Sequence, residues 1–431
     1  MSKITKEKIN ATVKLLPISV SAYVQQVNLM LAGSEKLDLV QTFPPLNYPG
    51  LAAKQSLIPL DDLLEQHGQD IKQALAPEIL NSANVNGKIH GLPGLRGYSQ
   101  YFGVTMRKDL VDKYNIDLSK IKTYADLEPV FKTIKENEPG VAPLVKAGPF
   151  GIVDAMLMSN IDTLGSNNGM GVLRVGEDDK LLNMYETKEY AEAATLVRKW
   201  YQAGYMPKDI ATSQELGGNI VKAGKGFAYM TNFGVDLGKS SRDTGVEMVD
   251  VALTDPVANV LDVTVFLTGI AKNSQNPEKA MQFLNLLYKD KEVYDLLAFG
   301  LEGKHYEKKE GNMIALPSGE SGYTGPTTIG DSFLGYLWEG TDPDFIEKSK
   351  DLDSKARLSK GLGFMFDESN LKTEVAAVNN VINQYVAALN VGAIDPDKAL
   401  PELNKQLKDA GADKIIEEKQ KQFDAFLKSS K

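Results

Sequence analysis

The run Arg96-Gly97-Tyr98-Ser99-Gln100-Tyr101 brings forked polar groups and flat rings together in one short stretch. A guanidinium and an amide present several hydrogen bonds in a fixed plane, and a phenol offers a flat apolar face with a polar tip. That pairing suits a ligand that carries hydroxyls on an otherwise apolar frame. Gly91, Pro93, Gly94 and Gly97 precede or interrupt the run, so it reads as a loop between strands, and binding groups concentrate on loops over a rigid scaffold. The structural alternative is that Tyr101 heads a buried strand while Arg96 pairs with a surface carboxylate. Other candidates follow the same logic with less support. Tyr48 comes after the strand-like Leu37–Phe43 run and is either a stacking ring or the inward-packed start of the next helix. Phe150 in Gly148-Pro149-Phe150-Gly151, and Phe233 beside Asn232 in Thr231-Asn232-Phe233-Gly234, are rings set between turn formers. Either they are exposed for use or they form satellite clusters beneath loops. Asp262 and Thr264 enter a returning strand, with solvated turn residues as the plainer reading, and Tyr323 lies in the flexible Ser321-Gly322-Tyr323-Thr324-Gly325-Pro326 segment.

Other chemistries are poorly served. His67, His90 and His305 are far apart and show no HExxH spacing, which argues against a transition-metal site. Glu177-Asp178-Asp179 lacks the calcium-loop pattern and reads as a solvated turn. No cysteine occurs, which removes disulfides, thiolate catalysis and Cys-ligated metal together. A glycoside hydrolase needs two carboxylates, and Glu302 or Asp331 can be nominated, yet nothing in the sequence pairs either with a second one. No GxSxG, Walker or GxGxxG context is present. The expectation is binding without turnover, with no cofactor and no metal. A net charge of −9 argues against nucleic acid as a partner, and no apolar run approaches the ~18 residues of a membrane span.

Length and pattern describe the scaffold. At 431 residues the chain exceeds what one core organises, so two or three domains are expected. Asn86-Gly87 between Val85 and Ile89 is a strong hairpin turn, because both turn positions need a positive φ. Thr123 with Asp126 opens a helix that buries Leu127, Val130, Phe131 and Ile134, and Thr187 opens another with Tyr190, Ala194, Val197 and Tyr201 on one face. Asn276-Pro277 starts a third with Met281, Leu284 and Leu287 inward. Strand-like runs at Gly226–Met230, Val249–Leu253 and Val263–Ile270 interleave with these helices, and the chain turns helical from Asp331 onward. Alternation of this kind predicts an α/β fold with largely parallel sheets. Trp200 and Trp338 are expected to be structural, as is His305.

Read in order, VNGKIHGLP (Val85–Pro93), MRKDLVDKYNIDLSKIKTYADLEPVFKTIKENEPG (Met106–Gly140), RKWYQAGYMPKD (Arg198–Asp209) and NPEKAMQFLNLLYKDKEVYDLLAFGLEGKHY (Asn276–Tyr306) resemble one family. NLMLAGSEKLDLV (Asn28–Val40), SLIPLDDLL (Ser56–Leu64) and VAAVNNVINQYVAALNVG (Val375–Gly392) extend the likeness over nearly the whole chain. It is similar to the extracellular solute-binding proteins (family 1) of carbohydrate ABC importers, of maltose-binding type, in the lipoprotein subgroup of Gram-positive bacteria. The resemblance implies a two-lobed, periplasmic-binding-protein-like α/β fold with a hinge, an interlobe cleft and a helical C-terminal region. Residues 1–106 plus 256–316 would form the N-terminal lobe, and 107–255 plus 317–431 the C-terminal lobe. By the same likeness Lys3–Lys8 ends a first helix, Ile9–Pro17 is the second strand, and the family's first strand is missing. Signal peptide and lipobox are absent from this chain, and the parent protein would be an extracellular, membrane-anchored lipoprotein. An oligosaccharide is the implied ligand and ABC permease transmembrane subunits the implied partners, with the protein acting as a monomer. Sugars match the aromatic and forked groups above, so the implied binding residues are Tyr48, Arg96, Tyr98, Tyr101, Phe150, Asn232, Phe233, Asp262 and Tyr323. The subgroup often carries a cleft Trp near Tyr323; here Thr327-Thr328-Ile329 stand in that neighbourhood. A carbohydrate-active hydrolase, or a receptor for another polar solute such as a peptide, are the alternatives.

Overall fold

The computed structural model describes residues 1–429 except 34, 44–45, 149–150, 167, 178, 237, 318–322 and 324, so Phe150 lies outside the described residues. Two compact units share the chain. Met1–Tyr98, Val260–Ile346 and Leu362–Asp367 form the first, and Ser99–Asn259, Glu347–Gly361 and Glu368–Lys431 the second. These bounds differ from those the family likeness implied. The whole Tyr101–Arg107 strand is central to the second unit's sheet, which moves the first crossing back to Tyr98. Residues 317–346 stay with the first unit because Leu95 N–H donates to Gly330 O at 2.8 Å, Ser332 N–H to Leu95 O at 2.9 Å, and Met313–Ala315 pairs with Leu337–Trp338.

The first unit is built on a three-stranded sheet with Leu267–Ile270 in the middle, antiparallel to both Leu39–Thr42 and Leu92–Pro93. The Asn84–Val85 and Lys88–Ile89 strands make the expected hairpin, with Asn86 at φ 53° and Gly87 at φ 84°. Pro277 begins the Pro277–Leu286 helix, whose Met281 and Leu284 are fully buried. The opening departs from expectation. Ser2–Ile9 is a helix, but Ile9–Pro17 forms no strand. A strand exists only by pairing, and here Ser2 Oγ donates to Val13 O at 2.8 Å and Thr5 Oγ1 to Ala11 O at 2.8 Å, so the helix's side chains take the carbonyls a ladder would use. Leu39–Thr42 is thus an edge strand among the described residues.

Tyr48 is a core residue, not a site residue. It opens the Tyr48–Ala53 helix, where Asn47 Oδ1 accepts Gly50 N–H at 3.2 Å. Its ring is 5% exposed, and its hydroxyl donates to Ala83 O at 2.5 Å and accepts His90 N–H at 3.1 Å.

In the second unit the sheet order is Met248–Ala252, Tyr101–Arg107, Gly226–Phe233, Ala142–Val145. Only the last pair is parallel, which corrects the expectation of largely parallel sheets: the incoming Tyr101–Arg107 strand opposes both its neighbours. Gly103 is fixed by this packing, since a Cβ there would lie 2.0 Å from Val251 O. The Leu127–Asn137 helix buries the four predicted side chains, each contributing roughly 1.5–3 kcal/mol. Thr187 Oγ1 accepts Tyr190 N–H at 3.2 Å and starts Lys188–Gln202. On that helix Trp200, fully buried, takes the inward position and meets Phe131 edge-on at 5.3 Å, while Tyr201 is half-buried and donates to Lys208 O. Trp338 likewise packs in the first unit, 5.9 Å from Phe299.

Candidate functional site

In the first unit, the carboxyl ends of Leu39–Thr42 and Leu92–Pro93 and the amino end of Leu267–Ile270 lie at one edge of the sheet. Half-buried polar and aromatic groups gather there. Arg96 Nη2 donates to Asp262 O at 2.7 Å, and its guanidinium carbon sits 6.0 Å from the Phe266 ring centre, a cation–π distance. Gln41 Nε2 donates to Thr328 Oγ1 at 2.6 Å, Tyr23 O–H to Gln41 O at 2.8 Å, and the Tyr23 and Phe43 rings are 5.7 Å apart. The fold therefore brings the Arg96 guanidinium against the backbone carbonyl of Asp262. Asp262 is on the Val260–Thr264 helix, not on the strand expected there.

Tyr98 does not join that edge. It is 5% exposed, and its hydroxyl donates to Gly94 O at 3.1 Å inside its own loop. Tyr323 is also held elsewhere: its hydroxyl donates to Leu297 O at 3.0 Å, and its ring lies 5.2 Å from the His305 imidazole. Both nominated acids have protein partners. Glu302 pairs with Lys308 at 2.7 Å, and Asp331 Oδ1 caps a turn by accepting Phe333 N–H at 2.8 Å.

In the second unit, a cavity of about 60 Å³ opens beyond the carboxyl ends of the parallel pair Ala142–Val145 and Gly226–Phe233, the usual place for a ligand in a sheet of this kind. Phe102, Lys146, Ile152, Met158, Thr231 and Asn232 are among its walls. Asn232 is exposed, and next to it the half-buried Tyr101 and Phe233, register partners, stand with ring centres 6.3 Å apart. The strands thus gather three of the sequence candidates, Tyr101, Asn232 and Phe233, at one end.

The floor of this cavity is pinned from below by residues that sequence reasoning missed. Asp154, half-buried, accepts Gly151 N–H at 2.9 Å and Asn390 Nδ2–H at 2.6 Å, while Asn390 Oδ1 accepts the Tyr190 hydroxyl at 2.5 Å. Burial pushes the Asp154 carboxyl up to about 6, against the lowering effect of those two donors. A Cβ on Gly151 would sit 2.3 Å from Asn390 Cβ, so only glycine permits this approach. The Gly151-to-Asp154 spacing at a helix start was the available signal; Asn390, from the far end of the chain, had none.

Residues 3–294 match the bacterial extracellular solute-binding protein family, and residues 360–428 match a domain of unknown function. The chain belongs to the bacterial extracellular solute-binding proteins. It is 33% identical, over its full length and 87% of the relative, to a carbohydrate ABC transporter substrate-binding protein of Streptococcus pneumoniae serotype 4. Among solved structures it is similar to the N-glycan transport solute-binding protein NgtS of S. pneumoniae, at 32% identity with a TM-score of 0.89, covering 100% of this chain and 95% of that one. NgtS in complex with Man5GlcNAc superposes with a TM-score of 0.77, over 100% of this chain and 94% of NgtS. Its complex with Man1GlcNAc gives 0.78, over 99% and 94%; both are at 32% identity.

Proposed function

We infer that this protein is the substrate-binding component of a carbohydrate ABC importer, which captures an oligosaccharide of the N-glycan type and delivers it to the permease subunits in the membrane. The observation that carries the reading is the full-length similarity to NgtS, a protein crystallised with two such glycans. The two polar and aromatic clusters support it: Arg96 and Asp262 in the first unit, and Tyr101, Asn232 and Phe233 in the second, supply the forks and rings that sugar recognition uses. Phe150 stays in this set on sequence grounds. The same reading places the protein outside the cell as a lipid-anchored monomer that binds without turning its ligand over, and incubation with glycans should release no new reducing ends.

Titration calorimetry with Man5GlcNAc and Man1GlcNAc tests it. Saturable binding of at least one is expected, with a higher melting temperature at excess glycan because ligand binds only the folded state. No heat and no thermal shift with either at millimolar concentration would sink the reading. Arg96→Ala and Phe233→Ala should each raise Kd about tenfold or more. Both side chains are only half-buried, so melting temperature should change little, and unchanged affinity in both variants would remove these clusters from the site.

A further inference from the structure

The helix beneath the Asn232 cavity is too short to hold itself in place. Ile152–Leu157 has six residues, and isolated helices below about 12–15 residues are marginal in water. Ile152 and Ala155 of this helix, with Gly151 before it and Met158 after it, line the cavity, so the seat of the helix decides the shape of that wall. Its restraints come from far along the chain. At its start, Asn390 O accepts Val153 N–H at 3.0 Å, one of the amides that a helix start leaves unmet. Asn390 Nδ2 donates to Asp154 Oδ2 at 2.6 Å, and the same oxygen accepts Gly151 N–H at 2.9 Å. At its other end, Asn259 Nδ2 donates to Met158 O at 2.7 Å.

Asn390 is itself seated on a firm base. It follows directly on the Lys372–Leu389 helix and is 3% exposed. Its Oδ1 accepts the Tyr190 hydroxyl at 2.5 Å, and in the turn after it Arg198 Nη1 donates to Gly392 O at 2.9 Å and Ala393 O at 3.0 Å. Tyr190 and Arg198 both belong to Lys188–Gln202. Gly392 stands at φ +71° where a Cβ would lie 2.6 Å from Val197 O, so the turn is pressed onto that helix. The amide oxygen, amide nitrogen and backbone carbonyl of Asn390 thus join the C-terminal helices to the short helix under the cavity.

We propose that Asn390 is a positioning residue for ligand binding: it fixes the Ile152–Leu157 helix as the floor of the cavity and sets affinity without touching the ligand, which gives the helical C-terminal region a part in recognition. The proposal rests on the carbohydrate-binding reading above. Calorimetry with Man5GlcNAc and Man1GlcNAc at pH 5 and pH 8 tests it, on the wild type, Asn390→Ala, Asn390→Asp and Leu403→Ala, with melting curves recorded alongside. Leu403 is fully buried on the Pro396–Asp409 helix and does not line the cavity. Its variant controls for lost stability: it should melt lower and bind within about twofold of wild type. Asn390→Ala should bind about tenfold more weakly at both pH values. Asn390→Asp sets a second carboxyl against Asp154. Tyr185, Tyr190 and Arg198 face the same junction, and burial holds both phenols above their usual range, so the carboxyl pair is what titrates. At pH 5 one shared proton restores the bond, and at pH 8 two carboxylates repel. Relative to wild type, its affinity should be within about threefold at pH 5 and about tenfold weaker at pH 8, and this variant carries the test should Asn390→Ala fold poorly. Equal losses in Leu403→Ala and Asn390→Ala, or an Asn390→Asp ratio that does not move with pH, would overturn the positioning role while wild-type binding stands. A wild type that binds neither glycan would instead overturn the carbohydrate reading, and this inference with it.

Discussion

Tyr98→Ala is expected to destabilise the first unit by about 3 kcal/mol, the low end of the range for truncating a large buried aromatic, while the affinity of the folded protein for glycan stays unchanged. The loop that carries Tyr98 is clamped on both sides. Leu95 exchanges backbone hydrogen bonds with Gly330 and Ser332 at 2.8 and 2.9 Å, and a Cβ on Gly94 would lie 2.1 Å from Thr328 O. Within that clamp the Tyr98 ring fills the interior and its hydroxyl satisfies Gly94 O at 3.1 Å, beside Tyr288, whose own hydroxyl donates to Pro93 O at 2.5 Å. Removing the ring leaves a void that a doubly held loop cannot close. Tyr98→Phe keeps the volume and loses only the hydrogen bond, about 1 kcal/mol. Denaturant melts and calorimetry on the same preparations separate the roles: a tenfold loss of affinity at unchanged stability would make Tyr98 a ligand contact after all.

The contrast between Tyr98 and Tyr101 shows what a sequence can and cannot say. Both stand in one run of forks and rings, and both met the same chemical criterion. What divides them is what each segment is tied to: Thr328–Ser332, more than two hundred residues away in the chain, clamps Gly94 and Leu95, and Gly94 accepts the Tyr98 hydroxyl, whereas Tyr101 belongs to a strand of the second unit's sheet. Features set by neighbouring residues were legible: the Asn86-Gly87 turn, the Thr187 cap, the Leu127–Ile134 stripe. Asn232 and Phe233, bracketed by turn formers in the sequence, are instead the last residues of the Gly226–Phe233 strand, paired with Phe102 and Tyr101. Features set by a distant partner were not legible. Ile9–Pro17 has the apolar content of a strand and lacks a ladder, because Ser2 and Thr5 take its carbonyls. Arg357 looks like any surface arginine until Val175, just past the Ile161–Asp162/Met170–Arg174 hairpin, and Ser159, just past the Ile152–Leu157 helix, place their carbonyls around it.

That hairpin is itself held by a buried cation, which leads to the second large expected effect: stability should rise between pH 7 and 10, and Lys419→Met should abolish most of the rise. Lys419 projects from the Ala412–Ser429 helix and is fully buried, with Nζ donating to Thr163 O at 3.1 Å and Met170 O at 3.3 Å. Its alkyl chain lies against Gly171, where a Cβ would come within 2.6 Å of Cδ and where φ is +68°. Burial pulls the ammonium down to about 7, with Asp162 and Glu368 pulling weakly the other way. The unfolded chain holds this proton up to about 10.4, so in the interval the unfolded state binds more protons than the folded one and stability climbs with pH. The gain is on the order of 4 kcal/mol across the window and is absent below pH 7, where both states are protonated. Losing the charge need not cost the two carbonyl bonds, since a neutral amine still has two N–H donors. The methionine variant has no proton to lose, so its unfolding free energy should run flatter through pH 7–9.5, by up to about 1.4 kcal/mol per pH unit. It also strands the Thr163 and Met170 carbonyls, so its absolute stability is a poor readout and the slope is the one to measure. Parallel curves for the two proteins would show that Lys419 keeps its charge in the folded state, through Asp162 and Glu368, and that burial does not govern it.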